Sequence, residues 1–124
     1  MNTSHSTLER SSDTISSDRV DGTAVYGGDR EKIGLVNNML ITKRDGRVTD
    51  VIVSVGGFLG MGTEMHSLPW SKLSYDTELG GYLVSVTADE LKKAPSFSDS
   101  DRDRVHDRDY QTGVYDYWAV KPYW

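Results

Sequence analysis

Between Arg47 and Trp70 the chain reads RVTDVIVSVGGFLGMGTEMHSLPW, a β-branched run that meets a glycine-rich turn and returns as a second strand closed by Pro-Trp. Val48, Val51, Val53 and Val55 crowd strand formers too densely for a helix to compete. Gly56, Gly57, Gly60 and Gly62 permit backbone angles that other residues resist, and they read as the structural turn between the two strands. This stretch constrains architecture far more than it constrains any chemistry.

The same logic extends in both directions. Ala24–Tyr26 reads as a short strand followed by a turn at Gly27-Gly28-Asp29. In a second strand, over about 32–42, Ile33, Leu35, Met39 and Ile41 share one parity while Val36 and Leu40 break it, which predicts a bulge or burial on both sides. Asp45-Gly46 then signals a hairpin into a third strand over about 47–55. Further strands are expected over about 63–68, 73–77 and, after Gly80-Gly81, 82–86. Six short strands joined by tight turns predict a mainly β fold, a small antiparallel β-barrel rather than an α/β sheet. Thr87-Ala88-Asp89-Glu90 has the form of a capping box, so a short helix over 88–93 should follow the last strand and stop before Pro95. Lys92 and Lys93 sit at the end that the helix dipole favours. A second helix is expected over about 101–118, with Val105, Val114 and Trp118 on one face and Gly113 weakening it by about 1 kcal/mol relative to Ala.

A chain of 124 residues is the size of one domain with tails. Residues 1–21, rich in Ser, Thr, Asp and Asn, bury too little surface to offset ordering entropy and read as a flexible tail. Residues 22–97 carry the strands, and 98–124 form a helical and aromatic extension. With no cysteine, disulfides, thiolate zinc sites and cysteine nucleophiles are excluded. The first twenty residues lack a basic start and an apolar centre, and apolar runs are short, so neither a signal peptide nor a transmembrane segment is expected. The net charge of −5 is spread as −1, −2 and −2 over 1–20, 21–97 and 98–124. No segment is a polybasic arm, and there is no strong nucleic-acid signal.

Motifs of catalysis are weak. GGFLGMG lacks the Gly-Lys-Ser/Thr and the following helix of a phosphate loop, so a structural turn or recognition loop is the better reading. Asp99, Asp101 and Asp103 match the first three ligands of a calcium loop, but Arg104 and Tyr110 stand where Gly and Glu are needed. A solvated face of paired charges accounts for them better. His5, His66 and His106 have no metal-site spacing, and His66 beside Glu64 is expected to be exposed or hydrogen-bonded. With no nucleophile elbow or Ser/His/Asp grouping, no catalytic residue, metal or cofactor is assigned, and the chain is read as a non-enzyme.

The order of these pieces carries a resemblance. Gly34 at a strand start, Asp45-Gly46-Arg47 at the hairpin, GGFLGMG at 56–62, Leu68-Pro69-Trp70, and Thr87 to Pro95 are together similar to a stand-alone bacterial PRC-barrel domain over about residues 23–97. That is the small β-barrel of photosynthetic reaction-centre H subunits and ribosome-maturation factors. The ending Tyr117 to Trp124 also resembles the aromatic Pro-Tyr-Trp tails of some members. The resemblance implies a noncatalytic protein-interaction or assembly module in the cytoplasm, with a protein partner of unknown identity and a homodimer as one allowed form. Two other readings stay open: a ribosome- or RNA-associated accessory factor, and a small-ligand-binding or photosynthetic-membrane accessory protein. Candidate partner-binding residues are Phe58, Leu59 and Met61, adaptable apolar side chains in the glycine loop, and the tail aromatics Tyr115, Tyr117, Trp118, Tyr123 and Trp124. The tail rings either dock on the barrel or face a partner.

Overall fold

The β-branched run at 48–55 becomes a strand buried on both faces, and the other elements arrange themselves around it. A computed structural model describes residues 12–56 and 64–124. In chain order these form α1 (Ser17–Val20), β1 (Ala24–Tyr26), β2 (Lys32–Ile41), β3 (Val48–Val55) and β4 (Glu64–Pro69). A 3-10 turn at Trp70–Lys72 leads to β5 (Ser74–Asp76), β6 (Gly81–Leu83), α2 (Ala88–Lys92) and β7 (Ser96–Phe97). A 3-10 segment at Asp99–His106 and α3 (Arg108–Tyr117) complete the chain.

The strands form one mainly β sheet in the order β5-β6-β1-β2-β3-β4-β7. Three features differ from the sequence expectation. There are seven strands rather than six among the described residues, because Ser96 and Phe97 pair with His66 and Met65. The sheet is not wholly antiparallel, since β1 runs parallel to β6 through Val25↔Tyr82 and Tyr26↔Leu83. Nor does the sheet close among the described residues: β5 and β7, three and two residues long, stand at its two ends.

Local signals act as expected elsewhere. The β2–β3 hairpin turns over Asp45-Gly46, with Gly46 at φ +69°, the Thr42 N–H donating to Arg47 O and the Thr42 hydroxyl bound to the Asp45 carboxylate. Register shifts in β2 between Val36 and Asn38 and between Leu40 and Ile41 are the bulges that the broken alternation announced. At α2 the Thr87 N–H donates to Glu90 Oε1 at 2.8 Å, and the Glu90 N–H donates to Thr87 Oγ1 at 3.2 Å, completing the capping box.

The two faces of β3 build two cores. Val51, Val53 and Val55 join Val25, Val36, Leu68, Val84 and Leu91 in the larger one. Ile52, on the opposite face, packs with Met65, Phe97 and Val105. Val20 of α1 belongs to the larger core and Ile15 packs against it, so the end of the segment read as a tail is a turn of helix seated on the sheet.

The single helix expected over 101–118 is broken in two. Asp101 has non-helical angles within the 3-10 segment, and Asp107 is extended. The Asp107 carboxylate accepts the Tyr110 N–H at 3.0 Å, so this aspartate begins a new helix instead of continuing the old one. At the other end Ala119, at φ +56°, donates its N–H to Asp116 O, and the Val120 N–H donates to Tyr115 O. That is a Schellman ending with alanine at the position glycine usually occupies.

Gly34 shows how closely the strands approach. A Cβ there would collide with Ser54 O and lie 3.0 Å from Val53 Cγ1 and 3.3 Å from Val55 Cγ2. Because β3 is covered on both faces it has little room to yield. Gly34→Ala is expected to lower the stability measured by urea unfolding by about 1–3 kcal/mol; an unchanged midpoint would contradict this packing.

Candidate functional site

The face of β3 that carries Asp50 and Ile52 is where the C-terminal extension docks. Across the strands, Asp50 lies opposite Leu40 and Pro69, and Ile52 opposite Asn38 and Ser67. Phe97 and Val105 cover the apolar part, with the Tyr110 ring edge-on to Phe97 at 6.0 Å. The Tyr115 hydroxyl reaches past them, donating to Thr49 O at 3.0 Å and standing 3.3 Å from Asp50 Oδ1. The Gln111 side-chain amide donates to Val105 O at 2.8 Å.

This seam is unusually polar for a contact so well covered. Asp50 is only 4% exposed. Burial pushes its carboxyl above the usual range, against the hydroxyls of Thr49 and Tyr115, which favour the ionised form. Tyr115 is pushed up strongly in turn, first by burial and then by the Asp50 charge. Asn38 Oδ1, Ser67 Oγ, the Tyr110 hydroxyl, Gln111 Oε1 and Trp118 Nε1 are buried without a hydrogen-bond partner among the described residues. The extension is thus held by apolar anchors and a few strong hydrogen bonds, across a surface whose polar capacity is only partly used.

His66 is a second buried polar group, on the face of β4 opposite Val53. It is fully buried, and among the described residues neither ring nitrogen meets a hydrogen-bond partner; Glu64 Oε1 lies 3.6 Å from Nε2. This corrects the expectation of an exposed or hydrogen-bonded histidine: Ser96 of β7 pairs alongside and closes the strand edge that would have admitted water. Burial pushes the imidazole below its usual range, with Glu64 and the Pro95 and Ala94 backbone acting in the opposite direction.

The structure divides the tail aromatics. Tyr115 and Trp118 are buried, whereas Tyr117, Tyr123 and Trp124 are 45%, 47% and 44% exposed. Tyr117 stacks edge-on with Trp118 at 5.3 Å, and its hydroxyl donates to Glu90 O at 3.2 Å, tying α3 to α2. Tyr123 and Trp124 fold back beside Tyr115, with ring centroids 6.1 and 5.3 Å away. Phe58, Leu59 and Met61 lie outside the described residues, as do Gly57, Gly60 and Gly62. Gly56 ends β3 at φ +74°.

The calcium-like aspartates face arginines. Asp99 pairs with Arg102 at 2.7 Å and Asp101 with Arg104 at 2.5 Å, and Arg102 also donates to Asn37 Oδ1. The spacing of both ion pairs is i,i+3 because a 3-10 turn stacks every third residue. Asp50 was not singled out in the sequence, and neither were the packing roles of Tyr110 and Arg108. Asp50 had a signal, as the one carboxylate inside a β-branched run; the others had none.

The family model described as PRC-barrel domain matches residues 12–91. No curated protein matches the chain. Among solved structures, one described as a 16S ribosomal RNA processing protein, RimM, of Pseudomonas aeruginosa is 19% identical, with a TM-score of 0.40. The alignment covers 64% of this chain and 48% of that one, so the chain spans about half the length of that neighbour.

Two titrations should act in opposite directions. An Asp50 carboxyl with a raised folded value makes ionisation unfavourable in the fold, so stability falls as pH rises through that value. Asp50→Asn removes this penalty, retains an acceptor for Tyr115, and is expected to gain about 1 kcal/mol at pH 7 by urea unfolding; a loss would contradict the account. For His66, stability is present above its ordinary value of 6.5 and is lost as pH falls from there through the depressed folded value. His66→Leu should flatten the decline between pH 7 and pH 5, and an unaltered slope would show that the histidine is not its source.

Proposed function

Because the chain belongs to the PRC-barrel family, we propose that it is a noncatalytic interaction or assembly module whose contact surface is the C-terminal extension. The observation that carries this reading is the division of labour among the tail aromatics. Tyr115 and Trp118 anchor the extension beneath the surface, and Tyr117, Tyr123 and Trp124 are left nearly half exposed on that anchored base. Fixed, partly exposed Tyr and Trp side chains are the residues that dominate binding hot spots, because they offer large contact area with little conformational entropy left to lose. The extension lies beyond the matched residues 12–91.

No helix among the described residues is long and apolar enough to cross a membrane, and the sheet has no face given over to a row of cations. Protein is therefore the class of partner favoured here.

The test is capture from nuclease-treated extract of the source organism, using the tagged full chain beside a Tyr117→Ala/Tyr123→Ala/Trp124→Ala variant. A protein retained by the natural chain at near-stoichiometric level, and reduced at least tenfold in the variant, is the expected result, corresponding to about 1.4 kcal/mol or more from the three rings. Equal retention by both would move the interface elsewhere, and retention of nothing would remove the reading.

A further inference from the structure

At the end of the extension, three rings form a corner around a cation. Tyr123 and Trp124 stand perpendicular with centroids 5.0 Å apart, and Tyr115 closes the third side at 59° to each. The Arg108 guanidinium lies over two of the rings, its Cζ 4.1 Å from the Trp124 centroid and 5.8 Å from that of Tyr123. Both distances fall within the reach of about 6 Å at which an aromatic face attracts a cation.

Arg108 does not owe this position to its own helix. It is the first residue of α3, the end at which the helix dipole disfavours positive charge. Among the described residues it also has no ion pair of its own, whereas Arg30, Arg102 and Arg104 each pair with aspartate. The rings are what hold it.

We propose that this corner is a binding site for an arginine side chain of a basic segment in a protein partner, and that Arg108 occupies it in the free protein. The inference deepens the interaction-module reading and rests on it. Tyr115 makes the back wall rigid, since it is buried and its hydroxyl is bonded to Thr49 O. Tyr123 and Trp124 supply the front with about half their surface open, so a guanidinium arriving from outside meets a preformed site. A planar guanidinium suits the corner better than an ammonium because it stacks on ring faces, as Arg108 does. The net charges of −2 on the extension and −5 on the chain attract a basic partner. Arg108 is exposed, so on displacement its side chain returns to water.

The probe is an acetylated, amidated Gly-Arg-Gly-Arg-Gly peptide, compared with the same peptide carrying citrulline, which keeps the shape and removes the charge. The readout is the Trp124 indole N–H resonance in the full chain, titrated by NMR. Saturable binding of the arginine peptide is expected, tightened roughly threefold in Arg108→Ala because the internal competitor is gone. The citrulline peptide should not bind, and Tyr123→Leu, which removes one open wall and keeps the Trp124 probe, should abolish the response. Equal binding of both peptides would reduce the corner to an apolar patch, and weaker binding or none in Arg108→Ala would overturn the placeholder role; either result ends the proposal. A captured partner that Trp124→Leu still retains would refute this site and leave the interaction module standing. Charge-dependent peptide binding without any captured partner would support the site and count against the module.

Discussion

Burial of β3 on both faces is the constraint on which the rest of the structure depends. A strand that reads Val-Thr-Asp-Val-Ile-Val-Ser-Val cannot leave either side in water: Val51, Val53 and Val55 need one cover, and Ile52 needs another. Each such side chain contributes about 1.5–3 kcal/mol when fully buried. The sheet with α1, α2 and the extension's Val114, Tyr115 and Trp118 supplies the first cover. Residues after Ala94 complete the second, through Phe97, Val105 and Tyr110 beside Met65 and Leu40. The extension is therefore part of the folded unit, and it brings Asp50 beneath it because Asp50 shares the face of Ile52.

That geometry connects packing to function. The second cover is held by Phe97, Val105 and the Tyr115 hydroxyl over a surface with several unpartnered polar atoms, while Val114, the Tyr115 ring and Trp118 join the larger core, so the extension is a firm platform seated on both. Its outer side carries the rings that the first side does not use. Tyr115 belongs to both: its hydroxyl fixes the platform to Thr49 and Asp50, and its ring backs Tyr123 and Trp124. Removal of that one side chain would loosen the seam and open the aromatic corner together.

The sequence was most legible where a few neighbouring residues settle the outcome. The Asp45-Gly46 hairpin, the Thr87/Glu90 capping box and the β2 bulges are local events, decided by turn angles, side-chain reach and parity. Less visible were outcomes decided by distant chain. Ser96-Phe97 is too short to announce a strand and is one only because β4 offers an edge. The parallel pairing of β1 with β6 joins residues nearly sixty apart. The break at Asp107 was legible in principle, since an aspartate three residues before an N–H it can accept is a cap, but the alternating Asp/Arg run imitates one continuous solvated helix. The seam was hidden for a different reason: an aspartate in a strand ordinarily points to water, and only the docked extension shows that this one does not.

Native-state hydrogen exchange of the full chain tests the central claim most directly. If β3 and the extension form one unit, the amides of Val114, Tyr115 and Trp118 open with the same free energy as those of Val51 and Val53, close to that of global unfolding. Exchange of the α3 amides at a free energy well below that of β3 would mean that the extension lifts off independently, and would contradict the account.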